Sequence, residues 1–166
     1  MNEPLTELIE ALRQELQHYG EMLALLDQQQ DSVLNRRTDD LLQTVGAIQT
    51  QARLLQQARD HRDACRRQLA ARLGLPESAS FAELIPQLPA DYQPLVQALV
   101  QENNDLLVRV QQRARQNHLL LHRAVELMQR LLTALFPGSA PLTYGGNGNL
   151  PAAPPWSAST LFNAVG

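Results

Sequence analysis

His118 and His122 stand four residues apart, with Glu126 four further on, so a helix would present all three on one face. That spacing could hold a divalent metal, but a stable site needs a remote fourth ligand that the sequence does not offer. A solvated polar stripe is the plainer reading. His61 raises the idea of a phosphotransfer histidine, yet the residues after it, Arg62-Asp63-Ala64-Cys65, do not match the His-x-x-Lys-Gly pattern of such domains. Arg59, Arg62, Arg66 and Arg67 could form a basic patch for nucleic acid. Asp60 and Asp63 interleave with them, no aromatic residue accompanies them, and the chain carries a net charge of −3. No Gly-rich phosphate loop, nucleophile elbow or paired-carboxylate motif is present. The residues predict no catalytic site, no metal or other cofactor and no nucleic-acid partner; the chain reads as a binding protein, not an enzyme.

The elements that carry these residues are helical. Leu5, Ile9, Leu12, Leu16, Tyr19, Leu23, Leu26, Gln30 and Val33 alternate steps of four and three, the period of a coiled-coil seam. Asn35-Arg36-Arg37-Thr38 interrupts the pattern, with Thr38 expected as an N-cap and Asp39-Asp40 suited to a helix N-terminus. A second seam follows through Leu41, Val45, Ile48, Ala52 and Leu55, turns polar at Arg59 and Arg62, and resumes at Cys65, Leu69 and Leu73. Gly74 and Pro76 are stop signals. Ser80-Phe81-Ala82-Glu83 has capping-box spacing, and Pro86 and Pro89 hold any helix there to about two turns. A third long seam runs Tyr92, Val96, Leu99, Asn103, Leu106, Val110, Arg113, Asn117, Leu120, Ala124, Leu127, Leu131 and Ala134. Leu119, Leu121, Met128, Leu132 and Leu135 widen its last quarter beyond what one partner helix would cover.

The pattern predicts an all-α fold, an elongated antiparallel bundle of three long helices with coiled-coil-like seams, a short connector helix and an irregular C-terminal tail. Helices are expected at about 4–35, 38–73, 80–87 and 91–136 within a domain of residues 1–136. Residues 137–166 are an uncharged tail with five Pro and five Gly, and every charged residue lies before Leu131. Aromatics are only 4% of the chain, so the core must be aliphatic. Residues 1–34 hold seven acids against Arg13, and residues 35–74 hold eight Arg against four Asp. Opposite charge favours packing the first two helices together, although each exposed pair contributes only ~0.2–1 kcal/mol. The single Cys65 suits a reducing compartment. Met1-Asn2-Glu3-Pro4 lacks the basic and apolar regions of a signal peptide, and no stretch approaches ~20 apolar residues, so a cytoplasmic, non-membrane protein is expected.

Pro141-Leu142-Thr143-Tyr144-Gly145-Gly146-Asn147-Gly148 resembles the Tyr-Gly-x-x-Gly signature that follows the last helix of FlgN-type flagellar export chaperones. Gln116-Asn117-His118-Leu119-Leu120-Leu121 is similar to the Asn-x-x-Leu-Leu element of that family. The resemblance implies a cytoplasmic type III secretion chaperone. Such a protein binds C-terminal amphipathic segments of the hook-associated flagellar proteins, prevents their premature assembly and delivers them to the flagellar export gate. Contact with other components of the export apparatus and self-association are both compatible with it. A structural homo-oligomeric coiled coil without client delivery explains the seams as well.

Two site expectations follow. The client surface is expected on the last helix at Asn117, Leu120, Leu121, Ala124, Leu127, Met128 and Leu131, since helix-in-groove binding needs apolar anchors at steps of three and four. Tyr144, with Gly145 and Gly148, matches the family's tail tyrosine and is expected to dock on the cytoplasmic part of the export gate. Trp156, Leu161 and Phe162 are apolar enough for the tail to cover the client surface when no client is bound.

Overall fold

The structure is a computed structural model, and it describes residues 2–136. The regular elements of the described residues are all helices: α1 (Asn2–Leu34), α2 (Thr38–Arg72), the single turn α3 (Phe81–Leu84) continued by a 3-10 turn (Ile85–Gln87), and α4 (Gln93–Leu135). Among them no helix is long and apolar enough to cross a membrane.

Local chemistry sets each boundary. Asn35, Arg36 and Arg37 make the turn between α1 and α2, with Arg36 at φ 53. Thr38 is the first helical residue and Arg37 occupies the N-cap position, so the expected Thr38 cap does not form. The Arg37 guanidinium instead pairs with Asp31 below the turn and with Asp40 above it at 3.5 Å, which ties the two helix ends together. The α2 terminus closes as a Schellman motif: Gly74, at φ 72, donates to the Ala71 carbonyl at 3.2 Å, and Leu75 donates to Ala70 at 2.9 Å. The capping box of α3 forms, with the Ser80 backbone amide donating to Glu83 Oε2 at 2.7 Å. Those bonds hold the Glu83 carboxyl below the usual carboxylate range.

The helix α1 is central, packing on both α2 and α4, while α2 and α4 meet each other only marginally. It runs opposite to α2, as paired residues advance in opposite order: His18 with Gln51, then Glu15 with Arg62. It runs in the same direction as α4. Asn103 Nδ2 donates to the Leu12 carbonyl at 3.0 Å and Asn117 Nδ2 to the Leu26 carbonyl at 2.7 Å, both pairs offset by 91 residues. Two buried asparagines, two heptads apart, thus fix the register of α4 on α1.

Two apolar clusters build the core. One gathers Leu5, Leu8, Ile9 and Leu12 of α1, Leu69 of α2, Leu84 and Leu88 of the connector, and Val96 and Leu99 of α4. The other gathers Tyr19, Met22 and Leu26 with Leu55, Leu107 and Val110. Burying each such large side chain contributes about 1.5–3 kcal/mol. Between them lies a polar layer. Glu15 is 2% exposed, with Arg62 Nε 3.5 Å from its carboxylate and the buried Arg59 nearby. Burial raises the Glu15 pKa, and Arg62, Arg59 and the Tyr19 hydroxyl only partly offset it. The Tyr19 phenol is pushed up to about 12, chiefly by burial and then by Glu15.

Candidate partner-binding surface

Past Asn117 the surroundings of α4 change. Asn117 is 2% exposed, with its amide donating to both the Leu26 carbonyl and Gln29 Oε1. One turn earlier, Arg113 pairs with Asp27 at 2.6 Å and donates to Gln30 at 2.6 Å. These contacts are the last polar ties between α4 and α1. At the offset of 91, the end of α1 at Leu34 stands level with Val125. The remaining ten residues of α4 therefore run about 15 Å past the hairpin of α1 and α2.

That free end is strongly apolar. Leu119, Val125, Leu127, Met128, Leu131, Leu132, Leu135 and Phe136 are all between 51% and 70% exposed. At 100° per residue the apolar positions from Leu120 to Leu135 cover an arc of about 180°, with Leu119 outside it. The polar residues His118, His122, Arg123, Glu126, Gln129, Arg130 and Thr133 fill the other half. The arc is centred near the line that buries Leu99, Val110 and Asn117 against α1, so the α1-facing seam simply continues after α1 has ended.

Of the seven residues expected at a client surface, six lie on this end. Leu120 and Leu121 are half-buried beside the last turns of α1, and Ala124, Leu127, Met128 and Leu131 are exposed. Asn117 is placed differently: it is buried and bonded to α1, because its amide satisfies a carbonyl and an amide oxygen that face it across the helix pair. It positions α4 and presents no free surface. Val125 was missed, although Leu121, Val125, Met128, Leu132 and Leu135 form a second track at steps of four and three beside the expected one. Reading both tracks would have found it. Tyr144, Gly145 and Gly148, and the tail residues Trp156, Leu161 and Phe162, lie outside the described residues.

The other chemical candidates have ordinary partners. His122 Nε2 lies 3.4 Å from Glu126 on the exposed face. His61 contacts Cys65 Sγ at 3.8 Å within its own helix. Of the four α2 arginines, Arg62 and the buried Arg59 both act on Glu15 of α1, and Arg62 also lies over the Phe81 ring at 5.8 Å. Arg66 and Arg67 pair with Asp63 on their own helix at 2.9 and 3.2 Å, and Arg66 also donates to the Ala79 and Glu77 carbonyls. Arg59, Arg62, Asp63, Arg66 and Ala79 line a cleft of about 580 Å³ bounded by the three long helices and the connector. They hold the connector to the long helices.

A family model described as FlgN protein matches residues 1–152, nearly the whole chain. The chain belongs to the FlgN family. FlgN proteins are chaperones of flagellum biogenesis and protein export. The match spans every helix described above and extends past Tyr144. No curated protein and no solved structure gives a significant match. In this FlgN-family chain, helices and register position one feature that is unlike the rest of the described residues, the exposed apolar end of α4.

Proposed function

We propose that the exposed end of α4 receives the C-terminal amphipathic segments of hook-associated flagellar proteins, that the chain keeps these subunits from assembling in the cytoplasm, and that it delivers them to the flagellar export gate. One observation carries this reading. In a chain of an export-chaperone family, the apolar seam of α4 outruns the helix that covers it. A client helix laid along Val125, Met128, Leu131 and Leu132 would take the place that α1 leaves vacant beyond Leu34, with Leu121 and Ala124 at the border beside the last turn of α1. Its own apolar stripe would need only the usual spacing of three and four, and Met128 would let the surface adapt to more than one client. No bond is made or broken in such a cycle. The chemistry is burial and release of apolar surface.

Replacing Met128 with Glu places a charge in the middle of the arc without touching the packed part of α4. Titration calorimetry with the C-terminal segment of a hook-associated protein should show binding weakened at least about tenfold, the equivalent of ~1.4 kcal/mol. Circular dichroism should show the helix content of the parent. Parent-like affinity in this variant rejects the surface.

Delivery is assigned to a different region, the segment Tyr144-Gly145-Gly146-Asn147-Gly148. A tyrosine ring offers apolar area and one hydrogen bond at small entropic cost, and the glycines let the backbone follow the bound shape, which suits weak and reversible docking. Tyr144→Ala should lower binding to the cytoplasmic part of the gate and lower secretion while client affinity stays at the parent value. Loss of both bindings together would refute separate sites.

A further inference from the structure

The apolar arc of α4 is bordered unequally. Arg123 and Arg130 stand seven residues apart, about 10 Å along the axis, and both flank the edge marked by Leu127 and Ala134. The opposite edge carries His118 and Gln129. Glu126, the only acid between His118 and Phe136, sits at the centre of the polar face and pairs with His122. Neither Arg123 nor Arg130 has a hydrogen bond or ion pair among the described residues. Of the other arginines near this end, Arg113 pairs with Asp27, and Arg37 with Asp31 and Asp40. The bare surface is thus greasy in the middle and cationic along one side.

Resting on the surface named above, we propose that Arg123 and Arg130 select and orient the occupant of the α4 end, a helix of another protein whose apolar stripe is flanked by acidic residues. The two rival occupants do not supply that chemistry. A second copy packed antiparallel through this face would set the arginine edge against its own equivalent, since like edges meet in antiparallel helix pairs. Packed parallel, it would set the arginines against His118 and Gln129, and no acid of the partner's α4 end would meet them in either arrangement. Residues 137–166 of the chain contain no charged side chain, so they can fill the apolar arc and leave both arginines without a side-chain carboxylate. A flanking acid on a foreign helix satisfies them, as charges beside a seam do in helix pairs of mixed composition. The arginines border the seam and lie outside its dry centre, so they act on choice and direction of the partner more than on total affinity.

Two designed peptides of about three heptads test this. Both carry Leu on the seam; one has Glu at the flanking positions and its twin has Lys. Against the full chain at low salt, the Glu peptide should bind about 5- to 30-fold tighter than the Lys peptide, the span set by two attractive pairs against two repulsive ones. The preference should reverse in the double variant Arg123→Glu/Arg130→Glu and shrink toward unity at about 1 M salt. Equal binding of the two peptides, with Met128→Glu abolishing both, would overturn the arginine selection and leave the docking surface standing. Binding of either peptide that survives Met128→Glu would overturn surface and selection together. Sedimentation showing a dimer of the parent chain that Met128→Glu dissociates would assign the face to a second copy and overturn the proposal.

Discussion

Residues 93–117 and 118–135 of α4 belong to one uninterrupted helix and share one apolar phase, yet they differ in what stands opposite. The first part lies along α1, and its buried line includes Asn103 and Asn117. The second part passes the last turns of α1 and outruns it beyond Val125, and its corresponding line is apolar throughout, through Leu121, Met128, Leu131 and Leu135. The contrast runs against the simplest expectation, which puts polar residues outside and apolar residues inside. It makes physical sense when register and docking are separated. A packed pair of long, repetitive helices can slip by a heptad, and buried amides that must find carbonyls forbid the slip at some expense of stability. A surface that meets different helices at different times needs no such lock, and apolar contact without fixed hydrogen bonds leaves it tolerant.

The sharpest test applies one substitution to both parts. Leu99→Ala, in the packed part, should lower unfolding stability by about 2–5 kcal/mol, because a cavity opens within the cluster of Leu8, Leu84 and Leu88. Leu131→Ala, at 58% exposure, should change stability by no more than about 0.5 kcal/mol while weakening partner binding. Chemical denaturation monitored by circular dichroism measures both. Equal stability losses would mean that the end of α4 is already covered in solution.

A smaller effect is expected at the junction. Asn117→Ala removes the amide shared by the Leu26 carbonyl and Gln29 Oε1 and should cost about 1–3 kcal/mol. Asn117→Leu should recover that loss or exceed it through apolar burial, yet weaken the register. Amide hydrogen exchange along 110–120 would then show lower protection than in the parent despite a higher unfolding temperature. Unchanged protection would show that Asn103 alone holds the register.

The smallest effect concerns the polar layer. The Glu15 carboxyl has a folded-state pKa raised by burial, so its contribution to stability is full below its unfolded value and is lost as pH rises through the folded value. At neutral pH the buried carboxylate is therefore a net burden even with Arg62 beside it. Glu15→Gln should leave stability at pH 7 equal to the parent or higher by about 1 kcal/mol, with the difference vanishing toward pH 4. Thermal unfolding at the two pH values gives the comparison. A variant clearly less stable at pH 7 would show that the pairing with the arginines outweighs burial.

Much of the architecture was legible because it depends on local rules. The seams of α1 and α4, the stop at Gly74 and the capping box at Ser80 follow from periodicity, positive φ and side-chain reach. Thr38 was misread as a cap because the turn is governed by a longer-range tie, Arg37 to Asp31 and Asp40. Glu15 gave no sign of burial, since a carboxylate in an acidic helix reads as solvent-facing. Its heptad column, Leu8, Glu15, Met22 and Gln29, shows the second buried stripe that a central helix requires.

By itself the sequence determined the all-helical class and the apolar width of the last helix, since these depend on residues within a few turns of each other. It also held the family, in the tail around Tyr144 and the helix element beginning at Asn117. Only the tertiary structure decided that Asn117 faces α1 while Met128 faces solvent, though the two share one side of one helix. Periodicity specifies which face of a helix is apolar, and it is silent on whether another helix is long enough to cover that face. Coverage depends on the offset between α1 and α4, which is set far away by the connector packing at Leu84 and Leu88 and by two amides reaching across the seam.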